Sequence, residues 1–105
     1  YIDLSDTMKT LEVGAGSGVH KNDFPNWVGL DISFPALRSI SKPYAGVVCA
    51  MAEKLPFKSE SFDLVVAFNL IEHLYFPKEA IDEMIRVTKK EVLLSLIVLG
   101  YIRQK

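Results

Sequence analysis

The chain has 105 residues, half of them hydrophobic, and a formal net charge of −1. This is the composition of one folded domain, and it excludes a disordered tail and a general basic attraction to nucleic acid or acidic membranes. A single cysteine, Cys49, excludes an intrachain disulfide and a multi-cysteine metal site and suits a reducing, cytoplasmic setting.

Strand and helix patterns alternate along the chain, without repeats and without a linker that would divide it. "TLEVG" is a short apolar strand running into glycines at 14, 16 and 18. The segment after them, "VHKNDFPN", has room for about one helical turn before Pro25 stops it. "NWVGLD", Asn26–Asp31, is the second strand. Ser33 is a candidate N-cap for a short helix in "PALRSIS", with Pro35 in its first turn. "AGVVCA", Ala45–Ala50, is the third strand and "SFDLVVAFN", Ser61–Asn69, the fourth. "PKEAIDEMIRVTKK", Pro77–Lys90, is helical: Ala80, Ile81, Met84, Ile85 and Val87 share one face, and Lys89 and Lys90 suit the negative C-terminal end. "EVLLSLIVL", Glu91–Leu99, is the fifth strand.

The last three strands are continuous apolar runs, as expected where both faces of a parallel sheet are covered, and Cys49 reads as a small buried residue within the third. The strand–helix–strand units predict an α/β fold with a doubly wound, mostly parallel sheet. The longest apolar run, Val92–Ile102, is too short for a membrane-spanning helix, and no signal-peptide pattern opens the chain. Tyr1 in place of an initiating Met reads as a start that was cut.

Three glycines in five positions ask for a reason, because glycine loses the most conformational freedom on folding. They serve either a tight strand-to-helix turn or a backbone that a ligand approaches closely. In a doubly wound sheet the loop after the first strand lies where ligands bind. Asp31 follows Gly14 by seventeen positions and ends the second strand, which is close to the spacing of an acid that holds a ribose. A carboxylate favouring the next helix N-terminus is the other reading. Glu12, an acid in the last turn of an apolar strand, needs a partner: a ligand ammonium or the N–H groups of the glycine loop.

"LEVGAGSG", "VGLDIS" and "AEKLPFKSESFDLVVAFNLIEHL", in that order, resemble the class I S-adenosylmethionine-dependent methyltransferases, most closely the broad small-molecule group that shares the "LPF…SFD" segment. The resemblance runs from Thr10 to about Leu99 and implies a Rossmann-like sheet with S-adenosyl-L-methionine as cofactor. It implies that Glu12 orders the glycine loop and reaches the methionine ammonium, directly or through water. Gly14 and Gly16 would let the backbone pass close to the amino-acid part. Asp31 would hold the ribose hydroxyls, and Ile32 would lie against the adenine. Ala52 would offer its N–H to an adenine ring nitrogen, and Asn69 its carbonyl to the ammonium.

Met51 departs from the family, which often has an Asp there accepting from the adenine amine; methionine packs on a ring but accepts poorly. The family sheet also has seven strands, whereas this sequence ends after five. Residues 1–105 are therefore expected to form a single S-adenosylmethionine-binding domain, truncated at the C-terminus. Leu94, Leu96 and Val98 on an uncovered fifth strand would favour either a longer protein that completes the sheet or a homodimer through that edge. The glycine and proline that usually separate the last helix from that strand are missing from "TKKEVLLS".

Methyl transfer from a sulfonium proceeds largely by holding three atoms in line, without an obligatory catalytic residue. His73 in "NLIEHL" is the one candidate base, the alternative being a histidine that packs or caps beside the site. Glu72 reads as solvated, and Tyr75 as able to touch substrate. The sequence reading is methyl transfer to an unidentified, small-molecule acceptor. A non-catalytic methyltransferase-like remnant acting through partners is a second reading. A nicotinamide-dependent oxidoreductase is disfavoured, since Val19 stands where the third small residue of G-x-G-x-x-G belongs.

Overall fold

The computed structural model describes residues 8–40 and 46–94. Short apolar segments form five strands: β1 (Thr10–Val13), β2 (Trp27–Asp31), β3 (Gly46–Cys49), β4 (Phe62–Ala67) and β5 (Thr88–Leu94). They pair in the order β3-β2-β1-β4-β5, every pair parallel. The expected doubly wound parallel sheet is therefore present, and its order reverses between β1 and β4. Beside that reversal the carboxyl ends of the strands open into the crevice where such sheets bind ligands.

Both faces of the central strands are buried because each strand alternates its side chains between two layers. Leu11, Val13, Leu30, Val65 and Ala67 pack with Ala80, Met84 and Val87 of helix α2 (Pro77–Val87) and with Ala52 and Leu55. On the opposite face Trp27 and Ala15 pack with Leu37 of helix α1 (Phe34–Arg38) and with Ile40, while Leu64 and Val66 pack with Met8. Burying each such Leu or Val stabilises the fold by about 1.5–3 kcal/mol before the entropy of ordering is counted. α1 starts as its sequence suggests: Ser33 Oγ accepts from Ala36 N–H at 3.3 Å, with Pro35 in the first turn. Before Pro25 the chain makes successive turns, with Gly18, Lys21 and Asp23 N–H bonding to Ala15, Gly18 and His20 C=O.

Two expectations fail for identifiable reasons. β3 is an edge strand, so its residues are only half-buried and Cys49 is exposed, not buried. The helix predicted to reach Lys90 ends at Val87, and Thr88 is already extended at φ −100°, ψ 143°. Pairing of Thr88 with Phe62 begins β5 there and takes Lys89 and Lys90 into the sheet, helped by the extended preference of β-branched Thr88. Arg86, not Lys89 or Lys90, is the basic residue of the last helical turn. The remainder of the predicted fifth strand, including Leu96 and Val98, lies outside the described residues. Among the described residues no helix is long and apolar enough to cross a membrane.

Candidate functional site

The glycine loop hangs from the end of β2. Gly14 and Ala15 N–H both bond to Leu30 C=O, at 2.7 and 2.9 Å, and Gly16 N–H bonds to Asp31 Oδ2 at 2.8 Å. Gly14 and Gly16 have φ of +78° and +55°, a region that side chains rarely adopt. A Cβ on Gly14 would crowd Leu70 at 3.0 Å, whereas one on Gly16 would meet nothing within 4 Å. The loop is thus tight against the protein at Gly14 and open at Gly16.

Asp31 holds three segments together. Its Oδ1 accepts from Ser33 N–H at 2.8 Å at the start of α1, while its backbone C=O accepts from Ala50 N–H at 3.1 Å after β3. Both carboxylate oxygens therefore already take one backbone donor each, and each keeps a lone pair for a ligand. The carboxylate lies beside the next helix, as the second reading had it, and also grips the glycine loop.

Glu12 has a partner that the sequence reading did not name. Its Oε1 accepts from Trp27 Nε1 at 2.8 Å, and the residue is 2% exposed. Glu12 sits opposite Gly29 across β1 and β2, two residues beyond Trp27. A Cβ on Gly29 would collide with the Trp27 ring, so the bare glycine is what lets the indole lie across the strand to reach the acid. Burial holds the Glu12 carboxyl above its ordinary pKa of 4.5, opposed by the Trp27 hydrogen bond. No hydrogen bond joins it to a glycine-loop N–H among the described residues.

A cavity of about 270 Å³ opens at the carboxyl ends of β1 and β2, near the lower end of the usual range for small-molecule sites. Gly14, Asp31, Ile32, Met51, Ala52 and His73 of the expected site line it, together with Val13, Leu30, Ala50, Glu53, Leu70, Leu74 and Tyr75. Glu12, on the strand beneath the loop, and Gly16, within the loop, are not among the lining residues. Asn69 also falls outside it; it is exposed, with φ +54°, just after β4. His73 ends a 3₁₀ turn (Ile71–His73), and Ile32 and Met51 are 68% and 50% exposed at the mouth. Among the described residues no group of three or more His, Cys, Asp or Glu could hold a metal.

The segment that follows the cavity-lining turn is fastened to α2. Glu83 Oε1 accepts from Leu55 N–H at 2.8 Å, and Arg86 donates to Leu55 C=O at 3.0 Å and Phe57 C=O at 2.9 Å. Arg86 and Glu83 also pair at 2.7 Å, which holds the Glu83 carboxyl below its ordinary value. This explains why an acid and an arginine three apart on α2 accompany the "LPF" segment: they satisfy its backbone where no strand can.

A glycine loop tied to an acid at the end of β2, beside the reversal of a doubly wound parallel sheet, defines an α/β domain of Rossmann-like type. The profile of the family described as "Methyltransferase domain" matches residues 11–96, and the chain belongs to that family, among the class I S-adenosylmethionine-dependent methyltransferases. It is 37% identical over 93 residues to an uncharacterised protein of Methanocaldococcus jannaschii, covering 86% of this chain and 40% of that protein. It is 32% identical over 84 residues to tRNA (carboxymethyluridine(34)-5-O)-methyltransferase of Arabidopsis thaliana, covering 75% and 21%. A crystal structure of a SAM-dependent methyltransferase of Thermotoga maritima superposes with a TM-score of 0.73 at 26% identity, covering 93% of this chain and 51% of that one. The chain spans 40% or less of the two curated relatives it is compared with here.

Proposed function

We propose that this chain binds S-adenosyl-L-methionine in the cavity beside the glycine loop and directs its methyl group to a small-molecule acceptor. The supporting observation is the Asp31 carboxylate gripping Gly16 N–H at the cavity edge, with open space over Gly16 and exposed Ile32 and Met51 at the mouth. These residues fit a ligand with a polar amino-acid end, a ribose and a flat base. Gly14 and Gly16 pass the backbone close to the amino-acid part, and Asp31 accepts from the ribose hydroxyls with its remaining lone pairs. Ile32 and Met51 lie against the base, Ala52 N–H meets a ring nitrogen, and Asn69 C=O takes the ammonium. Glu12, engaged by Trp27, acts on the loop only through the strand beneath it.

The cofactor supplies a sulfonium methyl group, whose transfer is an in-line displacement. The protein's part is to hold the acceptor in line and to exclude water. His73 lines the cavity with an imidazole that makes no hydrogen bond to a described residue, and it is the group proposed to take a proton from the acceptor. Tyr75, 93% exposed, and Phe76, 58% exposed, offer apolar contact to that acceptor. The net charge of −1 favours a small molecule over a nucleic acid, and a free, exposed Cys49 suits a cytoplasmic setting. β5 ends the strand order, and its outer edge is where further strands or a second copy would pair.

A non-catalytic remnant and a nicotinamide enzyme are the less favoured readings. Titration calorimetry with S-adenosylmethionine, S-adenosylhomocysteine and NAD separates them from the proposal. Binding of the first two and not of NAD is expected. Tighter binding of NAD, or no binding of any of the three, would overturn the reading.

A further inference from the structure

The backbone of the glycine loop is bonded to β2, with Gly14, Ala15 and Gly16 N–H going to Leu30 C=O and Asp31 Oδ2. Toward β4 the backbone pairing stops at Glu12 and Val66, and beyond that point side chains take over. Leu70 lies against Gly14, where an added Cβ would come within 3.0 Å of it. Phe68 meets two rings from the segment after the loop. His20 lies 4.6 Å from it between centroids, tilted by 46°, and Phe24 lies 6.1 Å away, stacked at 23°. Aromatic pairs at such separations attract beyond their area burial. Asp23 Oδ2 fixes the imidazole by accepting from His20 Nδ1–H at 3.0 Å. Phe24 and Phe68 also pack on buried Met8, Leu64 and Val66, which roots this clasp in the core.

Asn69 stands between these two held neighbours. Its φ of +54° is one that side chains seldom adopt, asparagine being among the more tolerant. Asn69 is exposed and makes no hydrogen bond with any described residue. A backbone kept in an uncommon conformation from both sides, with its carbonyl left free, presents that carbonyl to something outside the fold.

Resting on the reading of this cavity as the S-adenosylmethionine site, we infer that His20 is a positioning residue for the amino-acid end of the ligand. Its ring holds Phe68, and through Phe68 it sets the peptide of Asn69. With the ribose at the end of β2, the amino-acid part points to the reversal between β1 and β4, where Asn69 follows β4. The ammonium there needs an acceptor, which the N–H groups of the glycine loop cannot supply and a free carbonyl can. His20 is not among the residues lining the cavity, so it acts through Phe68 and not by touching the ligand in the cavity. Without the His20 ring, Asn69 is free to relax toward the common negative-φ region, which swings its carbonyl away.

The test compares S-adenosylhomocysteine with 5′-methylthioadenosine, which has the base, the ribose and a thioether but no amino-acid part. Both are titrated into the full chain, His20→Ala and His20→Phe. The unaltered protein is expected to prefer S-adenosylhomocysteine by about tenfold or more. His20→Ala should weaken S-adenosylhomocysteine by about three- to tenfold and leave 5′-methylthioadenosine within about twofold. The His20 side chain is 37% exposed, so its removal does not empty the core, and the second ligand reports any general loss of structure. His20→Phe keeps a ring on Phe68 without the Asp23 bond and should stay closer to the parent than to His20→Ala. An equal loss for both ligands in His20→Ala, or no loss for either, would overturn the role of His20. So would a His20→Phe variant as weak as His20→Ala, or equal affinity of the unaltered protein for the two ligands. Failure of the unaltered protein to bind either ligand would overturn the assignment of the cavity, and the inference with it.

Discussion

Trp27 Nε1 donates to Glu12 Oε1 at 2.8 Å across the β1–β2 pair, and the indole reaches the acid by lying over Gly29. Three residues thus make one arrangement directly beneath the glycine loop. The indole covers a carboxylate that an apolar strand could not otherwise carry, and the missing side chain at position 29 makes room for the indole.

Gly29→Ala is expected to destabilise the protein by about 1–3 kcal/mol, because the added methyl overpacks against the Trp27 ring. In a Trp27→Phe background the same substitution should cost clearly less, since the smaller ring withdraws. Chemical denaturation of the four proteins of this double-mutant cycle measures the coupling, and strict additivity would contradict the arrangement.

Glu12→Gln keeps an acceptor for Trp27 and removes the buried charge. The raised Glu12 pKa means that the folded state binds this proton more tightly than the unfolded state does. Stability from this group is therefore full below its ordinary value of 4.5 and is lost as pH rises through the higher folded value. The variant should be at least as stable as the parent at neutral pH, and should lose ground to it as pH falls toward the ordinary carboxylate range. A parent–variant difference that does not change with pH would contradict the burial of a titrating acid.

Removing the Glu83–Arg86 staple should loosen the segment from Leu55 to Phe57, next to the cavity-lining turn, without unfolding α2. Hydrogen exchange at Leu55 N–H is expected to quicken several-fold in Glu83→Gln and Arg86→Met, the Ala52–Phe57 segment following it. Glu83 has a lowered folded pKa, so its contribution is present above its ordinary value of 4.5 and is lost as pH falls through the folded one. Unchanged protection at Leu55 in both variants would show that the segment is held by other contacts.

Asp31→Ala removes the acceptor for Gly16 and Ser33 N–H together with the proposed ribose contact. Affinity for S-adenosylhomocysteine should fall by roughly 1.5–3 kcal/mol, or about ten- to a hundredfold, with Asp31→Asn in between. Unchanged affinity in calorimetry would remove Asp31 from the site.

Most of this fold is legible in the amino-acid sequence. The five strand positions and the capping role of Ser33 follow from apolar runs and local turn chemistry, which act within a few residues. What stayed hidden depended on neighbours distant in sequence. Cys49 belongs to an apolar run that reads as central, yet strand order makes β3 an edge. Thr88 to Lys90 read as helix until pairing with β4 claimed them. The Trp27–Glu12 bond spans two strands; its one signal was a tryptophan two residues before a glycine, opposite an unpartnered acid. In the site, Gly14 and Asp31 were legible from spacing. Glu53 and Leu70 were not, because they reach the cavity through loop geometry that no periodicity encodes.

The central claim is that S-adenosylmethionine occupies the cavity between the glycine loop and the turn after β3. Titrating isotope-labelled protein with S-adenosylhomocysteine and following backbone amide shifts tests this most directly. The account predicts saturable shifts concentrated at Gly14, Gly16, Ile32, Ala52 and Glu53, with the far face of the sheet around Leu37 and Ile40 unmoved. Saturable binding whose shifts cluster elsewhere and leave the glycine loop and Ala52 unchanged would contradict it.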